Sequence, residues 1–176
     1  DAAENYENLN LVSLTFGNNK LLRLVDLRNC KKFGTGEQQA LDMSGCTNVE
    51  EVYLDGTAIR GVTLPDGGIL KKLHLPETVA NLTLRNQKEL EEFVIPSYSQ
   101  ITTLRLENNS DVIDDKAIFD ALVVTDEQKP RVRIIGFDWS FDSIDDVFAL
   151  YDRLDTMRGL DEAGNNVDDA QMGGTV

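Results

Sequence analysis

The only histidine of the chain, His74, lies in the stretch LKKLHLPET, and a lone imidazole is the first place to look for acid–base chemistry. Such a base needs a carboxylate to orient it and a hydroxyl or thiol to activate. No G-x-S-x-G signature lies nearby, and the alternation of apolar residues puts His74 at an outward position of an extended segment. Cys30 and Cys46 are too few for a disulfide framework and have no His/Cys company at zinc spacing. The carboxylates come in runs (Glu50/Glu51, Glu91/Glu92, Asp145/Asp146), the ordinary mark of a solvated face. The tail LDEAGNNVDD, 160–169, has oxygen donors enough for calcium, but it lacks the D-x-D-x-D-G order and closing glutamate of an EF-hand loop. A hairpin turn on Gly164-Asn165 is the simpler reading of it. Trp139 and Phe141 suit core anchors better than a sugar platform. Neither catalysis, a metal nor a cofactor is expected.

The elements that carry these residues repeat. In VEEVYLDGTAIRGVTLPDGGILKKLHLPET, 49–78, one phrase recurs: an apolar residue, two spacers, an apolar residue, one spacer and a leucine. Its first positions along the chain are Leu11, Leu22, Gln38, Val49, Ile59, Leu70, Val79, Leu90 and Ile101. The fourth and sixth positions are Leu14/Phe16, Val25/Leu27, Leu41/Met43, Val52/Leu54, Val62/Leu64, Leu73/Leu75, Leu82/Leu84, Phe93/Ile95 and Leu104/Leu106. Apolar residues two apart share one face of an extended chain, so each phrase predicts a short strand with one buried face. Gly17-Asn18, Gly45, Pro65, Pro76 and Pro96 then turn the chain or forbid its continuation.

Taking every second phrase gives one full coil. From Gln38 to Ile59, Ile59 to Val79 and Val79 to Ile101 the steps are 21, 20 and 22 residues, whereas Leu11 to Gln38 takes 27, which places an insertion near 31–39. That period lies in the leucine-rich-repeat range, and it predicts an α/β, mostly β solenoid with two short parallel strands per coil. The ninth position of such a repeat sits inside the corner, where a polar side chain satisfies turn backbone; here it holds Asn19, Cys30, Cys46, Thr57 and Asn109. The two cysteines are therefore expected as reduced corner residues.

The two sides of the coil differ. Outward positions of one side include Arg23-Leu24, Glu50-Glu51, Lys71-Lys72 and Glu91-Glu92, a cross-strand charge ladder that fixes register. The other side carries Ser13/Thr15, Ala40/Asp42, Gly61/Thr63, Asn81/Thr83 and Thr103/Arg105. This flat, small and hydroxyl-bearing strip is either an ordinary polar sheet face or a docking surface for protein or glycan, and its candidate binding residues are Thr15, Asp42, Thr63, Thr83 and Arg105.

Past Asn109 the period changes. SDVIDDKAIFDALV and SIDDVFALYDRLDTMRG predict helices, the second with a Ser143/Asp146 capping box and a stripe of Ile144, Val147, Phe148, Tyr151 and Leu154, and RVRIIGF between them predicts a strand. The organisation expected is a solenoid over 1–109, a C-terminal helical cap (helix, strand, helix) over 110–159, and a hairpin or new segment over 160–176. With 176 residues and 41% apolar content the chain can bury one core, and a net charge of −14 opposes nucleic acid and anionic membranes as partners. No apolar run reaches the roughly 20 residues that cross a bilayer, so membrane insertion is not expected. The chain has no initiator methionine and no signal-peptide h-region before Asp1, and is read as a piece of a longer polypeptide.

VDLRNC, LDMSGC with TNVEEVYLDGTAIRGVTLPDGGILKKLHLP, then ANLTLRNQ, FVIPSYSQITTLRLEN and LYDRLDTMRGLDEAGNNVD resemble the leucine-rich-repeat segment of minor structural, tail-associated proteins of tailed phages and prophages of gut Gram-positive bacteria. The resemblance runs from about Leu22 to Asp169. It implies a non-catalytic structural or recognition module in a virion tail, with a protein or host-surface glycan as partner, and it carries over no functional residue. A bacterial cell-surface leucine-rich-repeat adhesin is the alternative, and a soluble enzyme comes third.

Overall fold

A computed structural model describes residues 10–97, 100–114, 117–118, 134–137, 144–145, 148 and 171–172. The phrase from Leu22 onward becomes β1 (Leu24–Asp26), β2 (Ala40–Asp42), β3 (Glu51–Tyr53), β4 (Gly61–Thr63), β5 (Lys72–His74), β6 (Asn81–Arg85), β7 (Glu92–Val94) and β8 (Thr103–Glu107). Successive strands alternate between two sheets, ordered β1-β3-β5-β7 and β2-β4-β6-β8, and every pairing is parallel. Two further strands, β9 (Ile134–Phe137) and β10 (Gln171–Met172), extend the second sheet in parallel beyond β8. The chain is thus a mostly β solenoid of short parallel strands.

Register follows the phrase. Val25, Val52, Leu73 and Phe93 are partners down one sheet, and Leu41, Val62, Leu82, Leu104 and Ile135 down the other. Fourth and sixth positions from Val25 to Leu84 point inward and are buried, as are Leu104 and Leu106. First positions from Val49 to Ile101 close the core from the corners. Because no strand buries more than two of its residues, one coil has no core of its own; the leucine columns exist only through stacking.

The insertion at 31–39 contributes to that core. It brings in Phe33, 1% exposed, in the one unit whose first position, Gln38, is polar. Gly34 follows at φ +93°, and a Cβ there would lie 2.7 Å from the Ala58 carbonyl carbon and the Ile59 nitrogen, so a side chain is excluded. The Ala58 amide donates to the Phe33 carbonyl at 2.8 Å, tying the insertion to the next coil.

Several expectations need correction. The first phrase, Leu11 to Phe16, makes no strand: its carbonyls at Val12 and Leu14 accept hydrogen bonds from the Gly34 amide (3.0 Å) and the Gln38 side chain (3.1 Å) instead of from a ladder. Phe93 and Ile95 are half-buried, since among the described residues the first sheet ends at β7 and no strand covers that side. Helical residues occur at 117–118, 144–145 and 148, but Ile144 and Phe148, one helical turn apart on the expected inward stripe, are exposed. The rest of the helical cap, Trp139, Phe141 and the 160–169 turn lie outside the described residues.

Candidate functional site

On the outer face of β1-β3-β5-β7 the expected ladder forms, with Glu51 beside Lys72 and Lys72 beside Glu92 in register. Lys71 Nζ lies 3.2 Å and Arg23 Nε 3.5 Å from the Glu50 carboxylate, and Lys72 Nζ lies 4.0 Å from Glu92. The Glu50 carboxylate holds the Lys71 ammonium above its ordinary range. A second line runs across the fifth positions. Arg28 pairs with Asp26 at 2.5 Å and lies over the Tyr53 ring at 4.9 Å from its centroid; its hydrogen bond keeps the Asp26 carboxyl below the usual carboxylate range. The Tyr53 hydroxyl donates to Glu51 at 2.7 Å, and this bond, reinforced by burial, pushes the phenol up to about 12. Tyr53 meets the His74 ring edge-on at 4.9 Å.

His74 is the residue whose setting the sequence did not disclose. It points outward, yet its side chain is only 19% exposed, with Nε2 2.8 Å from Glu92 of β7 and Nδ1 3.4 Å from Asp55 in the turn after β3. A neutral imidazole has one N–H and can donate to one carboxylate, whereas the protonated ring can serve both. The ring and its two carboxylate partners come from three successive coils, so the ring ties the stack together. Asp55 and Glu92 stand 19 residues before and 18 after His74, about one coil each way, so the 20–22-residue period itself was the signal that could have found them.

The outer face of the second sheet is different. Asp42, Thr63, Thr83, Arg105 and Gly136 form one register column, and Ala40, Gly61, Asn81, Thr103 and Ile134 the next. The structure therefore brings together Asp42, Thr63, Thr83 and Arg105; Thr15 is exposed but lies outside any strand and does not extend the column. Asp42, Thr63 and Thr83 are exposed, and Arg105, half-buried, has no ion pair among the described residues. The Asp42 carboxylate accepts the Ser44 amide at 2.9 Å, which holds its carboxyl below the ordinary range.

The corners behave as structure. Cys30 and Cys46 are buried free thiols, and Thr57 donates to the Leu54 carbonyl at 2.8 Å. The same ninth position also holds Thr78 and Gln87, which the reading of Asn, Cys and Thr corners passed over: Thr78 donates to Ile59 O at 2.7 Å, and buried Gln87 donates to Pro65 O (2.7 Å) and Arg85 O (2.8 Å). Outside them an amide ladder runs Asn108 to Asn86 to Asp66 at 2.5 and 2.6 Å, with Asn86 and Asn108 at positive φ. Among the described residues no group of three or more His, Cys, Asp or Glu side chains could hold a metal ion.

Comparison with family models, curated proteins and solved structures finds no match. The functional reading rests on these two faces.

Proposed function

We propose that the chain is a non-catalytic, leucine-rich-repeat recognition or structural module of a phage tail protein, docking a protein or host-surface glycan through the outer face of β2, β4, β6 and β8. One observation carries the choice of face: Asp42, Thr63, Thr83 and Arg105 lie in a single register column without mutual ion pairs, the second sheet's own pair, Arg85–Glu107 at 2.9 Å, standing two residues further along β6 and β8, while the opposite sheet pairs Arg23, Glu50, Lys71, Lys72, His74 and Glu92 with one another. A flat array of short side chains loses little rotamer entropy on docking, so more of the contact energy survives as affinity. The virion location rests on the resemblance of the repeat and tail segments described above; a cell-surface adhesin would use the same face.

The test replaces Thr63 and Thr83 by Lys. Both residues are exposed, so the thermal melt should stay nearly unchanged while binding to host cells or to a tail partner is lost. Retained binding, with loss instead from Glu51→Lys or Glu92→Lys, would move the site to the other sheet. Immunolabelling of purified virions against cell-wall fractions separates tail from adhesin.

A further inference from the structure

We infer that His74 is a proton-operated clasp between coils: when its imidazole takes up a second proton it closes on one carboxylate of the coil before and one of the coil after, and when the ring is neutral one of those two contacts opens. The clasp lies on the outer face of β1-β3-β5-β7 and does not depend on the docking reading above. His74 is the only histidine of the chain, and its side chain is 19% exposed. Glu92 Oε1 stands 2.8 Å from Nε2, and Asp55 Oδ2 stands 3.4 Å from Nδ1. A charged carboxylate has no proton to donate, so each of these contacts needs an N–H from the ring, and a neutral ring has only one. Placed on Nε2, where the contact is shorter, that proton leaves Nδ1 with a lone pair directed at a carboxylate oxygen. Asp55 Oδ2 shows what is then missing: it is buried and accepts no hydrogen bond, its 3.4 Å contact with Nδ1 being too long for a good one. Leaving a buried acceptor unpaired is destabilising, and a proton on Nδ1 removes that cost.

No other group around the ring can take its place. On the β3 side Tyr53 meets the imidazole edge-on at 4.9 Å, and its hydroxyl is already given to Glu51 at 2.7 Å. Arg28, which lies over the Tyr53 ring from the turn after β1, pairs with Asp26 and feels Asp55 only at longer range. On β5 itself Lys72 lies 4.0 Å from Glu92, and on β7 the register partner of His74 is the uncharged Val94. Among the described residues no ion pair joins Asp55 to any group but His74, so the imidazolium is the one counter-charge that the fold sets beside it.

The direction of the pH effect follows. The unfolded chain has no such arrangement, so a proton taken up by the folded ring adds a bond that unfolding gives back. This stability is present at mildly acidic pH and lost as pH rises through the range of about 5 to 8 in which histidines change charge. At still lower pH, near about 4, the carboxylates themselves are neutralised and the clasp has nothing to close on. Because Asp55 and Glu92 belong to different coils, the proton acts on the cohesion of three coils and not on one strand pair.

The test is urea unfolding of wild type, His74→Gln and Asp55→Asn at about pH 5.5 and about pH 8, together with a proton–nitrogen NMR correlation of the single imidazole, which reads its protonation directly. Relative to His74→Gln, the folded-to-unfolded ratio of wild type should fall by about tenfold between the lower and the higher pH, the size of one hydrogen bond to a charged group. In Asp55→Asn the amide can turn its NH2 to the bare Nδ1, so the neutral ring keeps both contacts and this fall should largely disappear. The His74→Gln difference also removes every other group that titrates over the same interval. Equal pH dependence in wild type and His74→Gln overturns the inference, as does an Asp55→Asn variant that keeps the wild-type fall. An imidazole that gives up its proton over the same pH range in the folded protein and in the urea-unfolded chain overturns it too, and that measurement needs no variant to fold.

Discussion

Gln87→Met removes two donors from the core while leaving its volume almost unchanged, and it measures what a corner amide contributes. Gln87 is 1% exposed, and its Nε2 serves the carbonyls of Pro65 and Arg85 at 2.7 and 2.8 Å. Arg85 O keeps the Gly67 amide at 3.1 Å, so it loses one of two partners. A hydrogen bond of that kind is worth about 0.5 to 1.5 kcal/mol net, whereas the Pro65 carbonyl, left buried without a donor, costs about 1 to 3 kcal/mol. The sum is a loss of about 1.5 to 4.5 kcal/mol. Backbone bonds through Gln87 itself, from its amide to Asn109 Oδ1 and from the Ser110 amide to its carbonyl, do not depend on the side chain and should persist. Urea unfolding followed by far-ultraviolet circular dichroism reads the loss as a lower midpoint at unchanged m-value. An unfolding free energy within about 0.5 kcal/mol of wild type would refute the reasoning and show that water reaches these carbonyls or that the corner relaxes to pair them otherwise.

Leu73→Ala, at a fully buried position between Val52 and Phe93 in register, should cost about 2 to 5 kcal/mol in the same assay, and a loss below about 1 kcal/mol would contradict the inward register. Thiol titration should find Cys30 and Cys46 unreactive in the native protein and both reactive once denatured without reductant; a count of zero from denatured monomer would mean a bridge that the two buried free thiols exclude. Spectrophotometric titration of wild type minus Tyr53→Phe should place this phenol at about 12 rather than its ordinary 10. The folded-state value is raised, so the associated stability is present below pH 10 and lost as pH rises through about 12; ionisation at 10 would remove the Glu51 hydrogen bond from the account.

The inward columns were legible in the sequence because a strand face has period two and a coil a nearly fixed length, so the pattern alone places Leu73 and Leu82 in the core. The charge ladder was legible for the same reason, since fixed coil length turns Glu51, Lys72 and Glu92 into lateral neighbours. Features set by where the stack ends were not legible. The Leu11 phrase has the same pattern as its successors but no strand, because its outer neighbours are the Gly34 amide and the Gln38 side chain. Gln87 was hidden by its type: the corner was read through Asn, Cys and Thr, whereas a longer amide reaches the same carbonyls. Of the candidate binding strip, four residues fall on one column and Thr15 does not, again because the first phrase stays out of the ladder. The step from Leu104 to Ile135, 31 residues against 20 to 22 from β2 to β8, hid the place of β9 in the second sheet.

The all-parallel stacking has a mechanical consequence. The ladder hydrogen bonds of both sheets run along the stacking direction, so tension applied along it opens strand pairs one coil after another instead of shearing many bonds at once. Each coil released gives up one strand spacing of about 4.8 Å and yields roughly 70 Å of extended chain from its 21 residues. Pulled along that direction, the stack would lengthen in steps of one coil.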